Sequence, residues 1–338
     1  MKHLTSHIIL LTSCLLLLCS CEADLRELCY DHDHSGDEGK TAELVLELKL
    51  DIDIDLDVEV SIEAHTEIIA PEYMKVCFYD PERSNLRSTE YVQAEGGPLH
   101  TAPGKYRMVA YSFGTEWTQI RGEGDINTLE AFTSDITATK MSALAGFITR
   151  ADEEPQYEAP GPIIYTPDHL LVAYEPVDIP VPSIEHPKVT IQANAATIVK
   201  TYAFEVTNVN GLQYIKSVEA FVTNQARSNY FGRGELNTDP ATIYFPVEIN
   251  REKGDLETTF NTFGKLPGES HSYLHILLTS TDGTEIRIST DITDQFEKPD
   301  QTIIIDEPID IPTPEEGEGG IAPTVDPWDE ENTDVPIG

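Results

Sequence analysis

The clearest alternation of apolar and polar positions in this chain of 338 residues lies between residues 44 and 62. Every even position of this alternating segment is Leu, Ile or Val, and every odd position is charged or polar except Val45. Successive side chains of a β-strand point to opposite faces, so the segment is predicted to be a strand with one buried face. At ~3.3 Å per residue the full run would exceed ~60 Å. Since ordinary strands are far shorter, we expect it to be interrupted or to extend beyond the body of its domain.

Shorter strand-like runs occupy most of the remaining chain, and residues typical of turns separate them. They are found at residues 74–79, 106–111, 188–192, 196–206, 215–222, 242–247, 272–278, 285–288 and 302–305. Asp282-Gly283 lies between two of these runs and is a strong hairpin signal. A short helix is predicted around residues 127–132, and the Pro-rich residues 153–182 are expected to form an edge strand and an interdomain connection. Regular short strands without helical periodicity predict an all-β fold of the sandwich type.

The length predicts about two domains, each large enough to bury a core of its own. Changes of composition along the chain set the expected boundaries. The predicted segments are a lipoprotein signal peptide at 1–20, an acidic tether at 21–40, an N-terminal β-sandwich at 41–182, a C-terminal β-sandwich at 183–311 and an acidic Pro/Gly-rich tail at 312–338.

The tail contains no basic residue and is rich in Glu, Asp, Pro and Gly, a composition typical of disorder. Ile321, Val325 and Trp328 depart from that composition, because a solubilising tail needs no large hydrophobic side chains. We interpret these three residues as candidates for partner binding, in which the tail is added as a strand to a sheet of its own chain or of another.

The leader joins a mostly apolar run, residues 8–18, to a cysteine that directly follows the small Ser20. The run is too short for the ~20 apolar residues of a membrane span, so it is predicted to be a secretory signal peptide. Cys21 occupies the lipidated position of a bacterial lipobox, whereas Cys19 follows the bulky Leu18 and fits worse. Two or more acyl chains, palmitate among them, would form a stable anchor. The mature chain is therefore predicted to begin at Cys21 on a membrane outside the cytoplasm.

The charge of the chain is strongly unbalanced, with 60 acidic against 22 basic residues and a formal net charge of −38. A field of that sign repels phosphate backbones and anionic lipid heads, which excludes nucleic acid as a partner and favours divalent cations or a basic partner. After Cys21 only Cys29 and Cys77 remain, too few for a disulfide scaffold. We expect two separate thiols, and pairing of the two stays open as the alternative.

The sequence contains no Gly-x-Ser-x-Gly elbow, phosphate loop, dinucleotide fingerprint or His-Glu-x-x-His pair. We therefore predict a protein that is not an enzyme and needs no cofactor. His32 and His34 alternate with aspartates in the tether and are weak metal candidates, because further ligands at loop spacing are missing. His169, His271 and His275 are interpreted as structural residues.

Several stretches, taken in their order along the chain, resemble one protein family. They are residues 28–34 (LCYDHDH), 75–79 (KVCFY), 103–106 (PGKY), 109–111 (VAY), 202–206 (YAFEV), 260–264 (FNTFG), 291–295 (DITDQ), 303–305 (III) and 319–326 (GGIAPTVD). Together they resemble an uncharacterised family of Bacteroidales lipoproteins, known by a domain-of-unknown-function label and similar to fimbrillins and minor-fimbria anchor proteins. The resemblance implies two transthyretin-like, Greek-key β-sandwich domains in tandem and lipid anchoring in the outer membrane, facing the cell exterior. It also implies other fimbrial subunits or surface proteins as partners, joined by a strand of one subunit that completes a sheet of its neighbour.

The leading prediction is a non-enzymatic surface lipoprotein, a fimbrial anchor or adhesin-like subunit that joins partners by β-strand pairing. Arg26 is the only arginine between Cys21 and the alternating segment, so no processing site stands out, which favours a permanently anchored protein. The alternative is a glycan-binding surface lipoprotein of a polysaccharide-uptake system. Its aromatic platform would be formed by Trp117, Tyr230 and Phe231.

Overall fold

The computed structural model describes residues 42–51, 68–141, 161–181, 188–268, 271–298 and 301–313. These residues form an all-β structure, so the predicted fold class is confirmed at that level. The transthyretin-like tandem arrangement stays a prediction. The tether and the acidic tail beyond residue 313 lie outside the described residues, and so do the predicted sites Cys21, His32, His34, Ile321, Val325 and Trp328. Within the ranges given, no helix is long and apolar enough to cross a membrane.

The strands are numbered in chain order. They are Ala42–Leu50 (β1), Tyr73–Tyr79 (β2), Leu86–Gln93 (β3), Gly96–Thr101 (β4), Gly104–Ser112 (β5), Thr118–Arg121 (β6), Glu130–Thr133 (β7), Ile163–Tyr165 (β8), Leu171–Ile179 (β9), Val189–Thr197 (β10), Lys200–Val206 (β11), Val209–Asn210 (β12), Ile215–Ala226 (β13), Ser228–Tyr230 (β14), Glu235–Leu236 (β15), Pro240–Asn250 (β16), Asp255–Thr262 (β17), Tyr273–Ser280 (β18), Glu285–Asp291 (β19), Thr302–Ile305 (β20) and Ile309–Asp310 (β21). Short 3₁₀ helices lie at Ile126–Thr128, Leu212–Tyr214 and Thr293–Glu297.

The N-terminal strands form a closed barrel in the order β1-β10-β9-β5-β2-β3-β4, with β4 pairing back onto β1. The barrel is closed between β9 and β10 by a short pairing that involves only residues 171–172 and 196–197. Every second side chain of these strands points inward, and Met74, Val76 and Phe78 of β2 are fully buried in the interior.

Strand β1 confirms the alternation that the sequence shows, as far as residue 50. Leu44, Leu46 and Leu48 are buried in the barrel core, whereas Glu47 and Lys49 are exposed. The strand pairs in parallel with β10 on one side and antiparallel with β4 on the other, so it lies inside its sheet. The part of the alternating segment beyond residue 51 lies outside the described residues.

The C-terminal strands form an eight-stranded sheet in the order β19-β18-β13-β16-β17-β11-β20, with β8 beside β16. The long strand β16 pairs with β13 up to residue 247 and with β17 from residue 248, so it links the two parts of this sheet. Aromatic rings fill the core between those parts. Phe245 stacks on Phe260 at 4.5 Å and meets the edge of Phe204 at 6.1 Å. All three rings are fully buried, and rings of this size supply much of the apolar area that stabilises a core.

A small sheet in the order β15-β14-β7-β6 combines strands from both parts of the chain. Strands β7 and β14 pair antiparallel through residues 131–132 and 228–229. Beside this sheet, Val109, Tyr111 and Val172 on the outer face of the barrel pack against Leu129 and Phe231. The barrel and the C-terminal strands are therefore in direct contact through a third buried cluster.

The edge strand predicted within residues 153–182 is present in part, because residues 173–179 of β9 pair with β5 on one side and with no strand of the described residues on the other. Pro176 is tolerated in β9 because its pairing with β10 is confined to the first two residues of the strand. The helix predicted around residues 127–132 is a single 3₁₀ turn followed by β7. The predicted boundary between residues 182 and 183 falls between β9 and β10, which are neighbours in one sheet. The division into domains stays a prediction.

Candidate functional site at the sheet edges

Strand pairing with a partner requires a sheet edge whose backbone groups are free to bond. Strand β1 offers none, since it is bonded on both sides. The outermost strands of the eight-stranded sheet are β19 at one end and β20 at the other. An exposed edge presents a row of N–H and C=O groups, and proteins commonly block such rows where pairing would be harmful.

The edge of β20 is blocked by the side chain of Gln295. Ala203 N donates to Gln301 O and Thr207 N donates to Ile305 O, both at 2.9 Å, in the parallel pairing of β11 with β20. Because successive residues of a strand direct their backbone groups to alternate sides, those of Ile304 point away from β11. Ile304 N donates to Gln295 Oε1 at 2.9 Å, and Gln295 Nε2 donates to Ile304 O at 3.2 Å. The glutamine amide thus occupies the position that a peptide group of an added strand would take.

The position of Gln295 is set by its neighbours on the 3₁₀ helix Thr293–Glu297. Phe296 packs edge-on against Tyr202 at 4.8 Å, and Ile292 is completely buried at the start of the helix. These two contacts hold the helix against the core, so the glutamine that lies between them is held beside β20.

The edge strand β19 is the second strand of a hairpin and pairs with β18 alone among the described strands. Asp282-Gly283 closes the predicted hairpin between β18 and β19, where Gly283 has a φ of 88°. Ser280 N donates to Thr284 O at 2.9 Å, which fixes which residues of the hairpin bond to each other. By the alternation of antiparallel pairs, Arg287 and Ser289 direct their backbone groups outward. No strand in the described part of the chain pairs with this side of β19.

The side chains of β19 make contacts on both faces of the strand. Ile286 and Ile288 are half-buried against the C-terminal core. On the opposite face Arg287 forms an ion pair of 2.8 Å with Glu285, and Ser289 Oγ lies 2.9 Å from His275 Nδ1. Seven residues at ~3.3 Å each give this strand an edge of about 23 Å, enough for an added strand of ordinary length.

Asp291 ends the β19 edge. Its carboxylate accepts hydrogen bonds from Thr293 N at 2.9 Å and lies 2.7 Å from His271 Nδ1. Partial burial acts to raise the pKa of Asp291, but the bonds from Thr293 and His271 outweigh it and hold the pKa below its ordinary value. A charged carboxylate therefore marks the end of the pairing surface at neutral pH.

The aromatic platform predicted from Trp117, Tyr230 and Phe231 is not formed. Phe231 is completely buried, Trp117 packs on Tyr165 at 4.6 Å, and the ring of Tyr230 lies under the Arg233 guanidinium at 4.6 Å. Sequence reasoning failed here because composition shows that aromatic residues exist and does not show which side of a strand they occupy. It also missed Gln295, since nothing in the sequence marks one glutamine as the partner of a strand edge.

His169 and His275 are held by structural contacts. His169 lies within 3.0 Å of the hydroxyls of Thr197 and Thr201, and burial lowers its pKa to about 4. His275 is completely buried, and burial lowers its pKa to about 4 as well. Cys77 is a buried free thiol, and Cys29 lies outside the described residues. Among the residues that the structure places, no group of three or more His, Cys, Asp or Glu side chains is arranged to hold a metal ion.

The fold and its edges define an all-β protein whose candidate site is a strand edge. Residues 41–246 match the family described as Domain of unknown function (DUF5119), and the chain belongs to that family. The predicted kinship with an uncharacterised Bacteroidales family related to fimbrial anchor proteins is thereby confirmed.

The chain is similar to proteins named as fimbrial anchor proteins and putative adhesins. The "Putative fimbrium anchoring subunit Fim4B" of Bacteroides ovatus is 25% identical over 310 residues, 79% of this chain and 85% of the relative. The crystal structure of a putative adhesin from Bacteroides ovatus ATCC 8483 has a TM-score of 0.56 at 20% identity, covering 81% of this chain and 94% of that one. The fimbrial anchor protein Mfa2 from Porphyromonas gingivalis has a TM-score of 0.43 at 14% identity, with 75% and 83% covered.

Proposed function

We propose that this protein is a non-enzymatic lipoprotein of the fimbrial anchor or adhesin type, held in the outer membrane by acyl chains on Cys21. Its partner is another fimbrial subunit or surface protein, which adds a strand to an edge of the folded part. The similarity to a fimbrium anchoring subunit supports the class and a position at the cell surface. The observation that carries the mode of binding is the contrast between the two edges of the eight-stranded sheet.

The contrast favours β19 as the pairing edge. At β20 an incoming peptide group would have to displace two hydrogen bonds between Gln295 and Ile304 before it could bond. At β19 no strand of the described residues lies on the outer side, toward which Ser289 directs its backbone groups. Main-chain bonds in strand addition supply affinity, and the flanking side chains supply specificity.

The position of β1 favours an anchor over a polymerising shaft subunit. Leu44, Leu46 and Leu48 are buried between neighbours on both sides of the strand. Loss of this strand would expose the barrel core, so the protein is expected to keep it. The absence of a distinctive arginine before the strand agrees with that expectation, since Arg26 is the only arginine between Cys21 and β1.

Proline at position 289 tests the pairing edge. Ser289→Pro removes one outward N–H and leaves the bonds between β18 and β19 in place, whereas Ser289→Ala removes only the hydroxyl that lies 2.9 Å from His275 Nδ1. In cells that carry either variant in place of the native protein, we expect Ser289→Pro to release fimbriae into the medium and Ser289→Ala to retain them. Immunoblotting of the fimbrial subunit in cell and medium fractions measures the ratio. A Pro variant with native thermal stability and full retention would refute pairing at β19.

The lipid anchor is tested separately. Cells grown with an alkynyl palmitate analogue should label the native protein, and Cys21→Ser should abolish the label and move the protein out of the membrane fraction. Cys19→Ser is the matched control and should leave both readouts unchanged. Label that persists in Cys21→Ser would contradict the assignment.

A further inference from the structure

Exposed aromatic side chains cluster at one end of the outer barrel face. Among the described residues, only seven large hydrophobic side chains are exposed, and Tyr73, Tyr91 and Phe113 are three of them. Lys75 on β2 pairs in register with Tyr91 on β3 and with Tyr111 on β5, so these three side chains form one row across the sheet. Tyr73 and Phe113 lie two residues along from Lys75 and Tyr111, on the same face. Isolated exposed hydrophobes need no explanation, whereas a contiguous group on one face points to an interaction site.

A cleft of about 400 Å³ opens beside this aromatic group. Its size lies within the range of small-molecule sites. Lys75, Tyr91, Tyr111, Phe113 and Glu123 are among the residues that line it. Tyr91 and Phe113 meet edge to face at 5.6 Å, with 58% and 43% of their surfaces exposed. The cleft therefore combines exposed ring surfaces with a polar floor.

The floor is a rigid hydrogen-bonded group centred on Glu123. Lys75 Nζ donates to Glu123 Oε1 at 2.5 Å, the Tyr111 hydroxyl donates to the same oxygen, and the Tyr79 hydroxyl donates to the Glu123 carbonyl at 3.0 Å. Burial acts to raise the pKa of Glu123, and the bonds from Lys75 and Tyr111 outweigh it and lower the pKa. Within the described part of the chain Oε2 accepts no hydrogen bond, and the side chain is 37% exposed. One carboxylate oxygen thus remains able to accept a bond from a ligand.

The charge of the floor selects the class of ligand. Lys75 and Glu123 neutralise each other, although the whole chain carries a formal charge of −38. A neutral floor gives no advantage to an anion, and neither does it attract a cation as the rest of the surface does. A sugar ring matches the two parts of the cleft, because its C–H faces pack on aromatic rings and its hydroxyls both donate and accept hydrogen bonds. An apolar ligand would cover Glu123 Oε2 without offering it a hydrogen bond, which is costly.

We propose that the cleft between Tyr91, Phe113 and the Lys75–Glu123 pair binds a neutral sugar ring. This sugar site lies on the outer face of the barrel and does not depend on strand pairing at β19. An adhesin-type protein with this site would contact surface glycans directly.

Saturation-transfer NMR with the full-length protein in detergent tests the proposal. The probes are the methyl glycosides of glucose, galactose, mannose, fucose and N-acetylglucosamine, with the methyl glycoside of N-acetylneuraminic acid as the acidic arm and a neutral hexapeptide as the protein-like arm. We expect transfer to at least one neutral glycoside and none to the acidic sugar or the peptide. Tyr91→Ala and Phe113→Ala should each weaken the Kd for that glycoside at least tenfold.

Tyr174→Ala is the matched control, because Tyr174 is an equally exposed aromatic residue, 43%, on the same barrel face and outside the cleft. It should leave sugar binding unchanged. All three variants are compared by thermal melting, and a variant that fails to fold is replaced by the corresponding leucine variant. Absence of transfer to every neutral glycoside, any transfer to the acidic sugar or the peptide, or binding that persists at native strength in both Tyr91→Ala and Phe113→Ala would overturn the proposal.

Discussion

Removal of the Gln295 amide is the sharpest test of why one sheet edge is blocked. Gln295→Ala deletes two hydrogen bonds to Ile304, of 2.9 and 3.2 Å. A hydrogen bond of this kind contributes a net ~0.5–1.5 kcal/mol. Ile304 lies at an exposed edge, with 42% of its surface accessible, so water can replace part of what is lost. We therefore expect the free energy of unfolding to fall by about 1 kcal/mol.

The change should also alter the local behaviour of the edge. A loss of about 1 kcal/mol corresponds to roughly fivefold faster hydrogen exchange at the Ile304 amide, if that amide exchanges by local opening. Because the unblocked edge can pair with a second copy, sedimentation velocity should show stronger concentration-dependent association than for the native chain. Urea denaturation, exchange measured by mass spectrometry and sedimentation give three independent readings.

Gln93→Ala is the matched control, since Gln93 is an exposed glutamine on β3. A surface substitution without such contacts should change stability by less than ~0.5 kcal/mol. If Gln295→Ala behaved like Gln93→Ala in stability, exchange and association, the blocking role of Gln295 would be refuted. The choice of β19 over β20 as the pairing edge would then lose its main support.

Three further substitutions test the barrel and the buried histidine. Leu46→Ala leaves a cavity in the barrel core and should lower the free energy of unfolding by ~2–5 kcal/mol, whereas Glu47→Ala on the exposed face should have little effect. Equal losses of the two variants in urea denaturation would contradict the burial of only one face of β1. Gly96→Ala should lower the free energy of unfolding by more than ~1 kcal/mol, because the φ of Gly96 is 104° and the added Cβ would lie 2.0 Å from the Leu46 carbonyl oxygen. Gly97→Ala should be tolerated, because its added Cβ would meet the nearest atom at 3.8 Å. Burial lowers the pKa of His275 to about 4, so the unfolded chain binds more protons between about pH 6.5 and 4, and native stability falls as the pH falls through that window. In urea titrations at pH 7 and pH 4, His275→Gln should reduce this loss of stability by up to about 3 kcal/mol. An unchanged pH dependence would show that the buried neutral ring is not the source of the loss.

The local pattern of the sequence was enough to predict several elements. Alternation over residues 44–50 predicted β1 and its buried face, and Asp282-Gly283 predicted the hairpin between β18 and β19. Both signals are local, because side-chain direction in a strand and backbone conformation in a tight turn depend on neighbouring residues. The short helix predicted around residues 127–132 is present only as the 3₁₀ turn Ile126–Thr128, since tertiary pairing of β7 with β6 and β14 overrode a weak local preference.

The candidate sites required the tertiary structure. Lys75, Tyr91 and Tyr111 come together only because β2 lies between β3 and β5 in one register, and Glu123 reaches them from a later turn. A shift of one residue in either pairing would place the aromatic rings on opposite faces.

The sequence by itself determined the all-β character, the buried face of β1 and the kinship with a Bacteroidales family, because alternation, turns and ordered motifs are properties of the chain alone. Only the tertiary structure decided that β1 lies inside its sheet, that Gln295 covers the edge of β20 and that β19 pairs on one side only in the described residues. The physical reason is that an edge is defined by what does not pair with it. That depends on strand order and on contacts between residues far apart in the chain.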